Sequence, residues 1–367
     1  MNNNTLAFLE LVRAGLWDRE AHLSQFGGID FSEISRIAEE QSLVGLITAG
    51  LEHVVDVKVP QEILLQFIGS TLQIEEQNKA MNIFLAKLIK KLRDNDVYTL
   101  LVKGQGIAQC YEKPLWRASG DIDLYLSKEN YEKAKMYLVP LALDVEKEEK
   151  KRLHLGMTIN GWVVELHGTM HSKLSSRINR VSDEVHNDIF CYGNVRSWET
   201  NGVQVFLPSA DNDVIIIFNH FINHFFMEGV GLRQICDWCR LLYRYQKEID
   251  VQVLESRIEK AGLKTEWKAF YTLATKYFGL PEVSGFMFQD SSNSKWEKKA
   301  ERIMEFILET GNFGHNRDNS YRNSQPKMIR KVISLFRAFS DSIKRLFIFP
   351  LDSMKVFGKM VVRGVAS

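Results

Sequence analysis

Four cysteines in 367 residues (Cys110, Cys191, Cys236 and Cys239) are too few to staple a chain of this size, so a disulfide-built secreted scaffold is excluded. A surplus of either charge is also missing: 47 Lys and Arg stand against 46 Asp and Glu. Without a global field, nucleic acid is not the expected partner. No apolar run reaches the ~18 residues of a membrane-spanning helix. The opening stretch, MNNNTLAFLELVRAGLWDRE, has neither a basic leader nor a cleavable apolar core. No internal repeat is visible. These absences leave an ordinary globular protein, expected in the cytoplasm, with room for two or three modules.

The hydrophobic period changes three times along the chain. Apolar residues recur at helical spacing from residue 5 to about 95, as in Leu6, Leu9 and Val12 or Ile34, Ile37 and Ala38. Asp30 is the expected N-cap of FSEISRIAEE, and QEILLQ…KKLRDND reads as one long helix or two broken near Gly69. Short strands follow: VYTLLVKG (97–104), DIDLYL (121–126), and the pair LHLGMTI and WVVELHG flanking Asn160-Gly161, a two-residue hairpin turn. VQVFLP, after Gly202, is another strand. Ser127 should cap a helix that breaks near Pro140. This middle section reads as a mixed sheet with few helices. From Ser209 the helical period returns to about residue 310. A polar stretch (311–327) then reads as a loop before a basic, apolar tail. The expected fold class is α+β: a helical N-terminal region (1–95), a small mixed-sheet core (96–207), a helical domain (208–310), and a loop with an amphipathic tail (311–367).

The chemistry concentrates in DIDLYL. Side chains two apart on a strand share a face, so Asp121 and Asp123 point one way while Ile122 and Leu124 point the other. Two carboxylates side by side repel, and a divalent cation relieves that repulsion. Carboxylate oxygens suit Mg²⁺, with Mn²⁺ an alternative. An Asp-x-Asp arises by chance about once in a chain this long, so the pair alone is not diagnostic. Two neighbours strengthen it. Lys103-Gly104 ends the preceding strand, where a glycine lets backbone N–H groups and a following helix N-terminus approach an anion. Glu165, in WVVELHG, lies one strand away, and a third carboxylate equips a site for two metals. His167 shares its face. Both aspartates are expected at a cleft, where the isosteric Asn is tolerated.

Lys103-Gly104, then Tyr111-x-x-Pro114-x-x-Arg117-x-x-x-Asp121-Ile122-Asp123-Leu124, then a hairpin ending at Glu165 and His167, resembles the polymerase-beta-type nucleotidyltransferase superfamily. Within it the chain is similar to the bacterial uncharacterised nucleotidyltransferases. The resemblance extends to the flanks through His220, His224, Gly231, Leu232, Arg233 and Asp237, so it covers roughly residues 5 to 310. It implies a Mg²⁺-bridged NTP substrate held by Asp121 and Asp123. Glu165 would complete the second metal site or deprotonate the acceptor, with Lys103, Gly104, Gln105 and Arg117 on the phosphates. The acceptor hydroxyl would attack the α-phosphate and release pyrophosphate. Gln105 stands where the superfamily usually has serine or glycine. His154, His167, His220, His224 and Arg233 are the expected acceptor-side residues, on a wall built by the helices after Ser209.

Other readings compete. An apolar-Asp-x-Asp also marks nucleotide-sugar glycosyltransferases, but those place a βαβ unit before the motif, where this chain is helical. A catalytically decayed nucleotide-binding protein is a further alternative. His220-x₃-His224 followed by Cys236-x₂-Cys239 has zinc-ligand composition, yet both pairs lie on apolar helices and the cysteines read better as small core residues. In the tail, Phe336, Phe339, Ile343, Leu346 and Phe347 form a stripe beside many basic residues and only Asp341 and Asp352. It suits either weak contact with an anionic membrane surface or, preferably, packing on an acidic part of the same protein.

Overall fold

The computed structural model describes residues 1–227, 229–282, 294–311, 327–350 and 352–354. Helices come first: α1 (Asn3–Trp17), α2 (Phe31–Glu40), α3 (Val44–Leu51) and α4 (Gln61–Arg93). Side chains satisfy the N–H groups that a helix start leaves unpaired. Asn2 Oδ1 accepts from the Thr5 N–H at 2.8 Å, and Asp30 Oδ1 from that of Ser32 at 2.9 Å. α4 runs unbroken through Gly69 for 33 residues.

The middle section holds β1 (Leu100–Val102), α5 (Gly104–Ala108), β2 (Asp121–Tyr125), α6 (Lys128–Leu138), β3 (Asp144–Val145), β4 (His154–Ile159), β5 (Trp162–His167), α7 (Ser176–Phe190), β6 (Val195–Thr200) and β7 (Val203–Pro208). Among the described residues these strands form one seven-stranded sheet in the order β3-β4-β5-β2-β1-β7-β6. β2 runs parallel to β5 and β1 parallel to β7; the other pairs are antiparallel. Asn160 and Gly161 (φ 51° and 83°) make the expected tight turn, and Asn201 and Gly202 (φ 50° and 71°) repeat it between β6 and β7. The expectation of few helices here is corrected by α7. Its Ile178, Val181, Val185 and Ile189 are buried along one helical stripe.

Five helices follow, α8 (Ala210–Met227), α9 (Leu232–Arg244), α10 (Val251–Ala261), α11 (Lys264–Phe278) and α12 (Ser294–Thr310), and then α13 (Lys327–Ile348). The sheet separates two apolar cores. One face, with Leu101, Ile122, Leu124, Val164 and Leu166, packs on α4 and α6. The other contributes Leu100, Val102 and Tyr125 to a larger core built on Phe218, Phe221, Trp238 and Trp267. Strand alternation puts Asp121 and Asp123 on this second face, toward α8 and α9.

Residues 312–326, most of the expected loop, and the Phe336 side chain lie outside the described residues. The end of α13 packs on the rest of the chain. Arg345, buried, donates to the carbonyls of Phe225 (3.0 Å) and Phe226 at the C-terminal end of α8, where a cation is favoured. Lys344 pairs with Glu309. Leu346 is half-buried, while Phe339, Ile343 and Phe347 remain exposed. No helix among the described residues is long and apolar enough to cross a membrane. Arg345→Ala is expected to lose about 1.5–3 kcal/mol, the worth of hydrogen bonds to a charged donor, and to free the tail. Limited proteolysis reads this directly: cleavage in the tail at the wild-type rate would refute it.

Candidate active site

Register builds the site. Asp123 stands opposite Glu165 in the parallel β2–β5 pair and opposite Val102 in the β1–β2 pair. Their alternation carries Asp121, Asp123, Glu165 and His167 to one face, and the β4–β5 hairpin sets His154 opposite His167. Carboxylate oxygens of Asp121, Asp123 and Glu165 lie within 4.8 Å of one another.

Cations already hold this cluster together. Lys103 Nζ contacts Asp123 Oδ1 at 2.7 Å, and His167 Nε2 reaches the same oxygen at 2.7 Å. His167 Nε2 also lies 3.3 Å from Glu165 Oε2, which His154 Nε2 approaches to 3.2 Å. The pKa directions follow. Burial works to raise the Asp123 carboxyl, but Lys103 and His167 outweigh it and hold it below its ordinary value. Burial is likewise outweighed at Glu165, where His154, His167 and Lys103 push the carboxyl far down. Asp121 goes the other way: the charge of Asp123, and then burial, raise it. Burial acts to lower His167, yet its bonds to Asp123 and Glu165 raise it. Asp123 is 1% exposed. Both aspartates line a cavity, but only Asp121 sits at its partly open end, so Asn at the two positions is expected to differ in cost.

These residues fit a hard divalent ion. The donors are carboxylate oxygens, and Asp123 Oδ2 is buried with no hydrogen-bond partner. Lys103 turns the chain with φ 57° and ψ −149°, a strained conformation for a residue with a Cβ, of the kind that concentrates at functional sites. Gly104 follows at φ 40°, and a Cβ there would stand 3.3 Å from the Asp121 carbonyl oxygen. α5 has only five residues, so the helix dipole expected behind Gly104 is small.

The structure separates the residues expected on phosphate. Gln105 is buried and turns away from the acids. Its Nε2 donates to Asn78 Oδ1 at 2.9 Å, while Asn78 Nδ2 donates to the carbonyls of Leu115 (2.7 Å) and Arg117 (2.8 Å). The glutamine thus braces the turn before β2. Arg117 makes a bidentate pair with Asp237 of α9, at 2.8 and 2.7 Å. Arg233, one helical turn before Asp237, differs. Among the described residues it has no carboxylate partner; it donates to the Ala118 carbonyl, and its Nε is buried and unpartnered.

A cavity of ≈ 380 Å³ brings the expected residues together. Lys103, Gly104, Asp121, Asp123, Glu165 and His167 line its sheet side; His220, His224 and Arg233 line the wall from α8 and α9, and His154 and Arg117 also border it. Burial, then Lys103 and His224, push the His220 imidazole well below its ordinary value, so it faces the cavity neutral. Cys236 and Cys239 are fully buried in the apolar core. Sequence reasoning missed Arg152 and Lys173, which border the cavity around Glu149, and Asn219 and Asn223 on α8. The asparagines did leave a signal: NHFINH repeats Asn-His at a spacing of four.

A family profile, described as uncharacterised nucleotidyltransferase, matches residues 27–279. Comparisons with curated proteins and with solved structures give no match.

Proposed function

The chain belongs to the uncharacterised nucleotidyltransferase family, and from that membership we propose that it transfers a nucleoside monophosphate from an NTP to an acceptor hydroxyl, with Mg²⁺ bound and pyrophosphate released. One observation carries the reading: three carboxylates converge on one point of a cavity wall, and a buried oxygen of Asp123 has no partner. Asp121, Asp123 and Glu165 would hold the metal, which supplies charge neutralisation on the α-phosphate and on the leaving group. The protein's own groups do the rest. Lys103 and His167 fix Asp123 and Glu165 in place, so the carboxylates need no reorganisation when substrate arrives. Glu165, pushed far down by His154, His167 and Lys103, serves as a ligand rather than as the base. The cavity is lined by five Lys and Arg, five Asp and Glu and four His side chains. A pair of divalent ions matches the charge of one fully ionised triphosphate, so the two enter together without changing that sum.

Arg233 is the phosphate anchor in this reading, because Arg117 is committed to Asp237. A guanidinium–phosphate bond is worth about 1.5–3 kcal/mol, or roughly ten- to a hundredfold in affinity. Titration calorimetry of Mg·NTP is the test. Arg233→Met is expected to weaken binding by that factor, and Arg117→Met to lower the melting temperature instead. A wild-type protein that binds no Mg·NTP would end the nucleotidyltransferase reading. Equal affinity in Arg233→Met would remove only the anchor.

A further inference from the structure

Behind His167 and His220 the cleft continues into a second, smaller cavity of ≈ 60 Å³, between the chain that follows β5, α7 and α8. It shares Lys103, Arg152, His167, His220 and Asn223 with the main cavity, so the two adjoin. Its chemistry is different. No carboxylate lines it, and its cationic groups are engaged: Lys103 and His167 with Asp123, Arg152 with Glu149 and the His171 carbonyl. Its floor is apolar, with Met170, Val185, Ile215 and Ile216. Its hydroxyls are spent inside the wall. Thr169 donates to the Arg152 carbonyl at 2.8 Å, Ser182 to the Met170 carbonyl at 3.2 Å, and Ser172 to Asn223 Oδ1 at 3.3 Å.

Among the described residues lining this cavity, Asn219, 8% exposed, carries the buried side-chain oxygen, Oδ1, without a hydrogen-bond partner. Buried carboxamides are nearly always paired, so an unpaired one in a polar cavity points to a ligand. A carboxamide offers an acceptor and a donor side by side, and adjacent hydroxyl groups match that pattern. A phosphate or a carboxylate would need a free cation that the cavity lacks.

We infer that this inner cavity is the acceptor subsite, and that it takes the uncharged, hydroxyl-bearing end of a small polyhydroxylated molecule, a sugar or polyol, through Asn219. The inference rests on the nucleotidyl-transfer reading above. With one end held there, another hydroxyl of the same molecule reaches past His167 and His220 to the carboxylates. Its oxygen forms a bond to the α-phosphorus as the bond from that phosphorus to the bridging oxygen breaks. The electron pair leaves with pyrophosphate, and the hydroxyl proton is released to solvent water.

The full-length protein, with Mg²⁺ and each NTP radiolabelled at the α-phosphate, is offered three probe sets. These are neutral monosaccharides and polyols, a serine/threonine peptide, and a short RNA with a free 3′ end. Label is expected on the first set alone. With the labelled sugar as substrate, Asn219→Leu and the smaller, polar Asn219→Ser are both expected to raise its KM at least about tenfold, the loss of a buried hydrogen bond, while the Mg·NTP dissociation constant does not follow. Melting curves separate this from misfolding. Label on peptide or RNA, no sugar labelled by an enzyme that binds Mg·NTP, or an unchanged KM in both variants would each overturn the subsite. A protein that binds no NTP fails at the calorimetric step, before any acceptor is added, and the subsite falls with the reading it rests on.

Discussion

Asp121→Asn is expected to abolish Mg²⁺-dependent NTP binding at little cost in stability, whereas Asp123→Asn loses the binding and a large part of the stability as well. The two carboxylates are two residues apart, yet their surroundings are opposite. The charge of Asp123 raises the Asp121 carboxyl, and burial adds to it. Folding therefore disfavours its ionised form, and a neutral Asn relieves repulsion at a partly open position. A carboxyl raised on folding makes stability increase as pH falls through its folded value. Asp121→Asn removes that dependence, and thermal melts across the acidic range in chelator will show whether it does.

Asp123 is the countercharge for Lys103 and His167. Removing its charge leaves two buried cationic groups without their partner, a change that costs about 3–5 kcal/mol and lowers the melting temperature by about 4–6 °C. Ligand-induced stabilisation is a convenient common readout. At roughly a hundredfold excess over Kd a ligand adds about 2.7 kcal/mol to the folded state. Mg·NTP should raise the melting temperature of the wild type and shift neither variant. A normal shift in Asp121→Asn would mean that the metal point lies elsewhere.

Much of this site is legible in the sequence because its rules are local. Alternation in DIDLYL sets both acids on one face, and Asn160-Gly161 fixes the hairpin register that brings Glu165 beside them. What stays hidden are pairings between distant residues. Arg117 and Asp237 are 120 positions apart, and nothing near either predicts that the guanidinium is committed to structure while Arg233 is left for the cavity. The destination of Gln105 is hidden for the same reason, since its partner Asn78 lies on a helix that passes behind the turn. Two features were local and still missed. α7 carries an apolar stripe at helical spacing, masked by the expectation of a sheet-rich middle section. Asn201-Gly202 repeats the dipeptide that marks the first hairpin, and β6 precedes it.

Asp237→Ala is expected to be the most destabilising single change that touches no reacting group. Asp237 is 4% exposed and accepts three hydrogen bonds: from Tyr111 Oη at 2.8 Å, Arg117 Nε at 2.8 Å and Arg117 Nη2 at 2.7 Å. It joins α9 to the turn before β2 and to the segment after α5, so it holds the helical wall against the sheet. With the carboxylate gone, a buried guanidinium faces Arg233, itself depressed by burial and by Arg117. Breaking such a pair costs about 3–5 kcal/mol, which lowers the melting temperature by about 4–6 °C. The double replacement Arg117→Met/Asp237→Leu separates charge from packing. Removing both charges at nearly conserved volume is often neutral, so the double variant should recover most of the stability that Asp237→Ala loses. Denaturant unfolding of the two variants and the wild type measures this. If the double variant is as unstable as Asp237→Ala, the pair acts through hydrogen-bond geometry at the turn rather than through buried charge. If Asp237→Ala melts with the wild type, water reaches Arg117 and the clamp between α9 and the sheet is not a structural one.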